Sequence, residues 1–291
     1  MNDRKKALIY LVITAVLWST GGLLIKLVEW NPLAIAGARS GIAAIIMLIY
    51  LKRPIRSIDR IKLLGAISYG LLVILFIAAN KLTTSANAIL LQFTAPIWVI
   101  LFAKAFLKEK TYVADWLTII AVILGMTLFF IGGLKSGNIL GNTLAVLSGM
   151  AMAAMIIFLK IKKEDSPIEI TLLGNIITFF IGLPFILLSA PPSNTSIIAI
   201  LILGVFQLGI SYILYVNAVR HVSAVDAILI PIIEPLLNPI WVFVFAGEAP
   251  GKYAILGGSI VILSIITRSI YQQKITKVNL KQEYKPSQNL Q

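Results

Sequence analysis

The chain reads as an all-α membrane protein of ten transmembrane helices, arranged as two inverted five-helix repeats. Three observations lead there: an apolar excess, an alternation of basic residues from loop to loop, and a repeat of the chain on itself. Of 291 residues, 59% are hydrophobic and 13% are charged, with a mean hydropathy of +0.95. Ordinary globular chains are about half apolar and about a quarter charged. So little charge cannot cover a water-soluble body of this size. At about 20 apolar residues per crossing, ten helices use about 200 residues.

Apolar runs bounded by polar clusters predict helices over 7–28, 33–51, 61–80, 86–107, 116–133, 139–159, 168–189, 196–218, 225–246 and 253–271. The basic start, Met1 to Lys6, resembles the first part of a signal peptide. Its apolar run is too long and has no small-residue cleavage site, so it is read as a retained first span. The loops are short, which makes sequence neighbours antiparallel hairpins. After Tyr271 the chain turns polar, and 272–291 is expected to be a basic, disordered cytoplasmic tail.

The basic residues test this layout. With the N-terminus inside, twenty lysines and arginines fall on the inner side, in the stretches 4–6, 52–62, 104–110, 160–163, 220 and 268–285. Only Lys26, Lys81, Lys135 and Lys252 fall outside, and Arg39 lies within a span. That bias places both termini in the cytoplasm and the chain in the cell membrane as a multi-pass protein. It also accounts for the net charge of +13 without any nucleic-acid partner. The absence of cysteine excludes disulfides, thiolate metal sites and a cysteine nucleophile, and a single histidine excludes His-clustered metals. No metal or cofactor is expected.

A shift of 139 residues aligns the two halves. It pairs Gly65 with Gly204, Gly70 with Gly209, Ala88-Ile89-Leu90 with Ala227-Ile228-Leu229, Pro96 with Pro235, and Glu109 with Glu248. The prolines and glutamates carry the weight, because apolar helices match by chance. Five spans per half is an odd number, so the second repeat (139–271) sits upside down relative to the first (1–133). Inverted repeats are the architecture of alternating access, with a site near the midplane between the halves.

Several segments resemble the EamA family of the drug/metabolite transporter superfamily. They are AVLWSTGGLLIK in the first helix, NPLAIAGARSGIAA entering the second, and the proline followed thirteen residues later by glutamate in PIWVILFAKAFLKE and PLLNPIWVFVFAGE. The resemblance covers about 7–271 and implies a ten-helix secondary transporter, often an exporter of metabolites, amino acids or drugs.

Glu234 is the sharpest candidate for chemistry. It lies near the centre of the ninth span, where a charge costs about 2.5–3.5 kcal/mol and needs a partner, a proton or a cavity. Pro231 and Pro235 flank it and free carbonyls to line a cavity. At 100° per residue, Asn238 and Trp241 share its face. It is read either as a substrate-cation and proton-coupling site or as a neutral or ion-paired structural carboxyl. Arg39 projects away from the Gly37/Gly41 packing step toward the interior. There it would bind a substrate carboxylate, pair with Glu234, or serve the packing. Trp18 shares a face with Thr14 and Gly22, Tyr69 with Phe76 and Asn80, and Gln207, Ser211 and Tyr215 form a polar stripe in the eighth span. With Trp241 these aromatics make an aromatic box that suits organic cations, although such rings also fill helix packing and anchor interfaces.

The fourth span offers two faces. Polarity selects Asn87, Thr94 and Trp98, whereas the repeat relation to Glu234 selects Gln92 and Ala95, so Gln92 and Trp98 both remain candidates. Glu109 and Glu248, at helix ends beside lysines, are read as structural, and His221 as a solvated loop residue. The expected function is secondary transport of a small amphipathic metabolite, amine or amino acid, possible proton coupling included, by a monomer or homodimer in contact with membrane lipid. A polytopic membrane enzyme would need a polar acid–base or nucleophilic cluster at an interface. A flippase accessory or sensor that does not transport would lack a central cavity.

Overall fold

The structure is a computed structural model, described here for residues 3–83, 85–131, 138–237 and 252–283. Those residues form helices and connecting turns. Seven helices are long and apolar enough to cross a membrane: α1 (Asp3–Leu27), α2 (Pro32–Leu51), α3 (Arg60–Leu82), α4 (Asn87–Leu107), α6 (Ile139–Ile161), α7 (Ile168–Leu187) and α8 (Asn194–Val219). The shorter α5 (Val113–Phe130) follows α4. After α8 come α9, helical over Ala224–Leu229 and continuing to 237, and α10 (Lys252–Glu283). Asn238, Trp241 and Glu248 lie outside the described residues.

Helix starts follow local chemistry. Asn31 accepts from Leu33 N–H, with Pro32 in the first turn, and Asp59 accepts from the N–H groups of Ile61 and Lys62. Lys162 also hydrogen-bonds the Asp59 side chain and holds that carboxyl below the usual carboxylate range. Exposed leucines and isoleucines, such as Ile45, Leu64, Leu71, Leu117, Leu124, Leu201 and Leu263, cover the outside. On a helical bundle this apolar coat is the surface that meets lipid.

One boundary differs from the sequence expectation. Helix α10 runs on to Glu283, through the first part of the segment expected to be disordered. Between Tyr271 and Glu283 there is no proline or glycine, and the first proline is Pro286, so nothing in that stretch stops the helix.

Small residues let helices approach closely. Helix α2 packs on α7 through Gly37 and Gly182, where a Cβ on Gly182 would lie 2.5 Å from both Gly37 Cα and the Leu33 carbonyl oxygen. Both obstacles are backbone and cannot rotate away. Gly182→Ala is therefore expected to lose about 1–3 kcal/mol, read as a lower unfolding temperature in detergent. Gly22, whose added Cβ meets nothing within 4 Å, should tolerate alanine with a change below about 1 kcal/mol. Equal melting of the two variants would contradict this packing.

Ion pairs mark one end of the bundle, the end holding the start of α1. Glu169, fully buried, accepts from Lys62 and Arg53, and Lys62 also reaches Asp165 at 3.2 Å. A second set joins four helices: Arg268 of α10 pairs with Asp115 of α5 at 2.8 Å and with Asp226 of α9, which Arg4 of α1 approaches at 3.4 Å. Two cations and two carboxylates balance. All ion pairs among the described residues lie at this end. At the other end the hydrogen bonds are to neutral acceptors: Lys81 Nζ to Val28 O, Trp30 Nε1 to Ala190 O and Thr83 Oγ1 to Asn142.

Candidate functional site

Four irregularities in the helices meet at the centre. Helix α1 breaks at Ser19 and Thr20, whose hydroxyls donate back to Val16 O and Leu17 O, and resumes at Gly21. Helix α4 breaks at Phe93 and Thr94, and α9 narrows to a 3-10 turn over Ile230–Ile232. These last two stand just before the repeat-related prolines Pro96 and Pro235. Each proline lacks the N–H that would bond the carbonyl four residues earlier, at Gln92 and Pro231. The fourth irregularity is a π-helical stretch, Leu203–Ile210 in α8, a form that often sits at functional sites.

Between these breaks lies a narrow cavity of about 50 Å³, room for a few water molecules. From the first half of the chain it is lined by Trp18, Arg39, Leu72, Val73, Phe76 and Gln92. From the second half come Met152, Gln207, Leu208, Tyr212 and Glu234. It therefore sits between the two halves of the chain. Arg39 is buried, and its Nη1 donates to Gln207 Oε1 at 2.9 Å while Nε has no acceptor. Among the described residues, no ion pair joins Arg39 to Glu234 or to any other carboxylate, and the Glu234 carboxylate has no hydrogen-bond partner either. A buried guanidinium and a carboxyl group thus line one small space without an ion pair or hydrogen bond between them.

Close backbone approaches hold Gln207 there. Gly204 lies against α2, where a Cβ would be 2.5 Å from Ile42 Cβ and 3.1 Å from Arg39 O. Gly21, at the α1 break, faces the Gln207 amide, and a Cβ there would be 2.8 Å from Nε2. Gln92 Nε2 donates to Ser148 Oγ of α6 at 2.7 Å, which fixes its side chain beside the α4 break.

Of the residues expected from sequence, Trp18, Arg39, Gln92 and Glu234 line the cavity. In the fourth span the repeat relation thus selects the cavity face. Trp98 stays along α4, its Nε1 3.4 Å from Thr94 Oγ1 and its ring against Phe102. Tyr69, Ser211 and Tyr215 stand behind the lining. Tyr69 donates to Asn175 Oδ1, Ser211 accepts from Trp18 Nε1 and donates to Gln207 O, and Tyr215 donates to Ala227 O.

Sequence reasoning did not pick out Tyr212. Its ring packs 5.0 Å from Trp18, 4.8 Å from Tyr69 and 5.9 Å from Tyr215, so the expected aromatics do gather, around a residue not foreseen. The cause is the π stretch. Bonds from i to i+5, as from Ser211 N–H to Phe206 O, widen the turn, so residues five apart share a face. Gln207 and Tyr212 then point inward together, where a regular helix would present Gln207, Ser211 and Tyr215. Glu109 accepts from Ala224 N–H and lies 3.8 Å from Lys160, away from the cavity lining.

A bundle of long apolar helices with an exposed apolar coat, and with Arg39 and Glu234 lining a cavity inside it, has the form of a multi-pass membrane protein. Residues 5–131 and 139–269 each match the EamA-like transporter family. The chain belongs to that family, with two EamA repeats, and is a membrane transporter. Among its relatives, an uncharacterized transporter of Clostridium kluyveri is 25% identical over 295 residues, covering 90% of this chain and 92% of the relative. An uncharacterized transporter of Archaeoglobus fulgidus is 25% identical over 260 residues, covering 88% and 93%. The uncharacterized inner membrane transporter YedA of Escherichia coli K12 is 23% identical over 265 residues, covering 86% of each. A solved crystal structure superposes with a TM-score of 0.78 over 93% of this chain and 99% of its own, at 15% identity. That likeness speaks for the fold.

Proposed function

We propose that the protein is a secondary transporter that carries a small zwitterion, such as an amino acid with an apolar side chain, by alternating access. In this reading ten helices cross the membrane as two inverted repeats, with both termini in the cytoplasm. The observation that carries it is the pairing of Arg39 and Glu234 in one cavity, each without an opposite charge among the described residues. Buried charges need partners, and a zwitterion supplies a carboxylate for Arg39 and an ammonium for Glu234. Trp18 and Tyr212 add rings that attract a cation by their quadrupoles.

The cavity of about 50 Å³ is smaller than such a substrate, so loading requires the lining to part. The breaks in α1, α4 and α9 and the π stretch in α8 supply hinge points around it. Glu234 also makes proton exchange part of this reading, since it is the carboxyl exposed to the cavity.

A thermal-shift screen of the detergent-purified protein tests the substrate class. A ligand that binds only the native state raises the unfolding temperature by mass action. Apolar amino acids are expected to stabilise the wild type more than primary amines or carboxylic acids of the same size. Stabilisation by amines alone, unchanged in Arg39→Gln, would replace the zwitterion with an organic cation. Proteoliposomes that bind a zwitterion but show no exchange of it would refute transport.

A further inference from the structure

We propose that the protein holds an anionic phospholipid in a second cavity, at the end of the bundle that the charge bias assigns to the cytoplasm. This rests on the membrane-spanning reading and not on transport. The cavity, about 290 Å³, lies between the start of α1, the end of α2 and the end of α8, and its polar lining includes Lys6, Tyr10, Tyr50, Asn217 and Arg220. It is separate from the central cavity, with which it shares no lining residue.

Two cations there have no carboxylate partner. Arg4, two residues before Lys6, is ion-paired with Asp226, whereas Lys6 and Arg220 form no ion pair among the described residues. Lys6 Nζ sits 5.6 Å above the Tyr10 ring. Arg220 is held in place by a bond from Nη2 to Asp165 O at 2.8 Å, and its buried Nε has no acceptor. One acid, Asp3, also lines the cavity, and against Lys6 and Arg220 it leaves a net positive site. Asn217 Nδ2 donates to Tyr50 Oη at 3.2 Å, which presents the Tyr50 hydroxyl at the rim.

Position decides between a lipid and a soluble anion. Tyr10 and Tyr50 stand where aromatic side chains mark the boundary between headgroups and hydrocarbon. Deeper along the same helices, Ile13 of α1 and Ile49 of α2 are exposed, apolar surface that suits acyl chains. A basic cavity between helices on the cytoplasmic side is the setting in which anionic headgroups bind. A phosphate between Lys6 and Arg220, with headgroup hydroxyls at Asn217 and Tyr50, satisfies the unpaired donors.

The test uses the full-length protein, stripped of lipid in a neutral detergent. Phosphatidylglycerol, phosphatidylcholine and glycerol 3-phosphate are titrated, with unfolding temperature and native mass spectrometry as readouts. Phosphatidylglycerol is expected to stabilise at lower concentration than phosphatidylcholine and to stay bound as one retained molecule. Lys6→Gln and Arg220→Gln should each weaken this roughly fivefold and together about thirtyfold. Lys163→Gln, which removes an exposed inner-side charge, should leave it unchanged. Should Arg220→Gln fail to fold for loss of the bond to Asp165, Lys6→Gln alone carries the same fivefold expectation. Equal stabilisation by both lipids, a preference that survives the double variant, or protection by glycerol 3-phosphate equal to that of the lipid would each overturn the proposal. None of these readouts depends on transport.

Discussion

Replacing Arg268 with Met is expected to remove about 3–5 kcal/mol of stability, because it leaves buried carboxylates facing one another without their cation. Asp115 and Asp226 are both almost completely buried and both bond this guanidinium. Asp115 also accepts from Tyr112 N–H at the start of α5, and Asp226 is the first-turn acid of α9, so neither can swing out to water without disturbing a helix end. Arg4 approaches Asp226 at 3.4 Å, longer than the Arg268–Asp115 contact of 2.8 Å. The loss should appear as a much lower yield of folded protein and a fall in unfolding temperature. Lys163→Gln is the control: its pair with Glu164 is exposed, with side-chain exposures of 47% and 90%, and such pairs contribute about 0–1 kcal/mol. If Arg268→Met melts like Lys163→Gln, the network does not hold this end together.

The second large effect is expected at the central cavity. If a zwitterion bridges Arg39 and Glu234, truncating either charge leaves the other end of the substrate unpaired in a desolvated site. Losing one partner of a buried charge pair costs about 2–5 kcal/mol, so Glu234→Gln should weaken amino-acid binding at least about thirtyfold. Arg39→Gln should do the same for substrates that carry a carboxylate while sparing amines. Gln207→Leu, which removes the acceptor of Arg39 Nη1, should weaken binding less than Arg39→Gln while the charge remains. Equilibrium binding to folded, monodisperse variants separates these cases. Unaltered affinity in Glu234→Gln would remove that residue from the substrate site.

Most of what made the site visible in the sequence was local. Glu234 stood out because a carboxyl deep in an apolar run is expensive. Gln92 came, with Ala95, from the repeat relation to Glu234. Arg39 came from its angle to Gly37. At 100° per residue α8 would present Gln207, Ser211 and Tyr215 together, whereas its π stretch turns Gln207 and Tyr212 to the cavity. Arg268 and Arg4 looked like plain topology signals. Their partners lie far along the chain, 153 residues from Arg268 to Asp115 and 222 from Arg4 to Asp226, and no spacing rule reaches that far.

The sequence by itself determined the class of protein, the positions of the apolar helices, the two repeats and the charge asymmetry between the ends. Those follow from sums over neighbouring residues: hydropathy per span, basic residues per loop, and a fixed offset between halves. Only the tertiary structure decided that Tyr212 and Gln207 line the cavity and that Arg39 and Glu234 share it unpaired. It alone also showed that four helices are tied by one buried charge set. These are decided by helix irregularities and by close approaches at Gly21, Gly37, Gly182 and Gly204. Which side chains meet there depends on the position of a partner helix, and a single helix does not encode that.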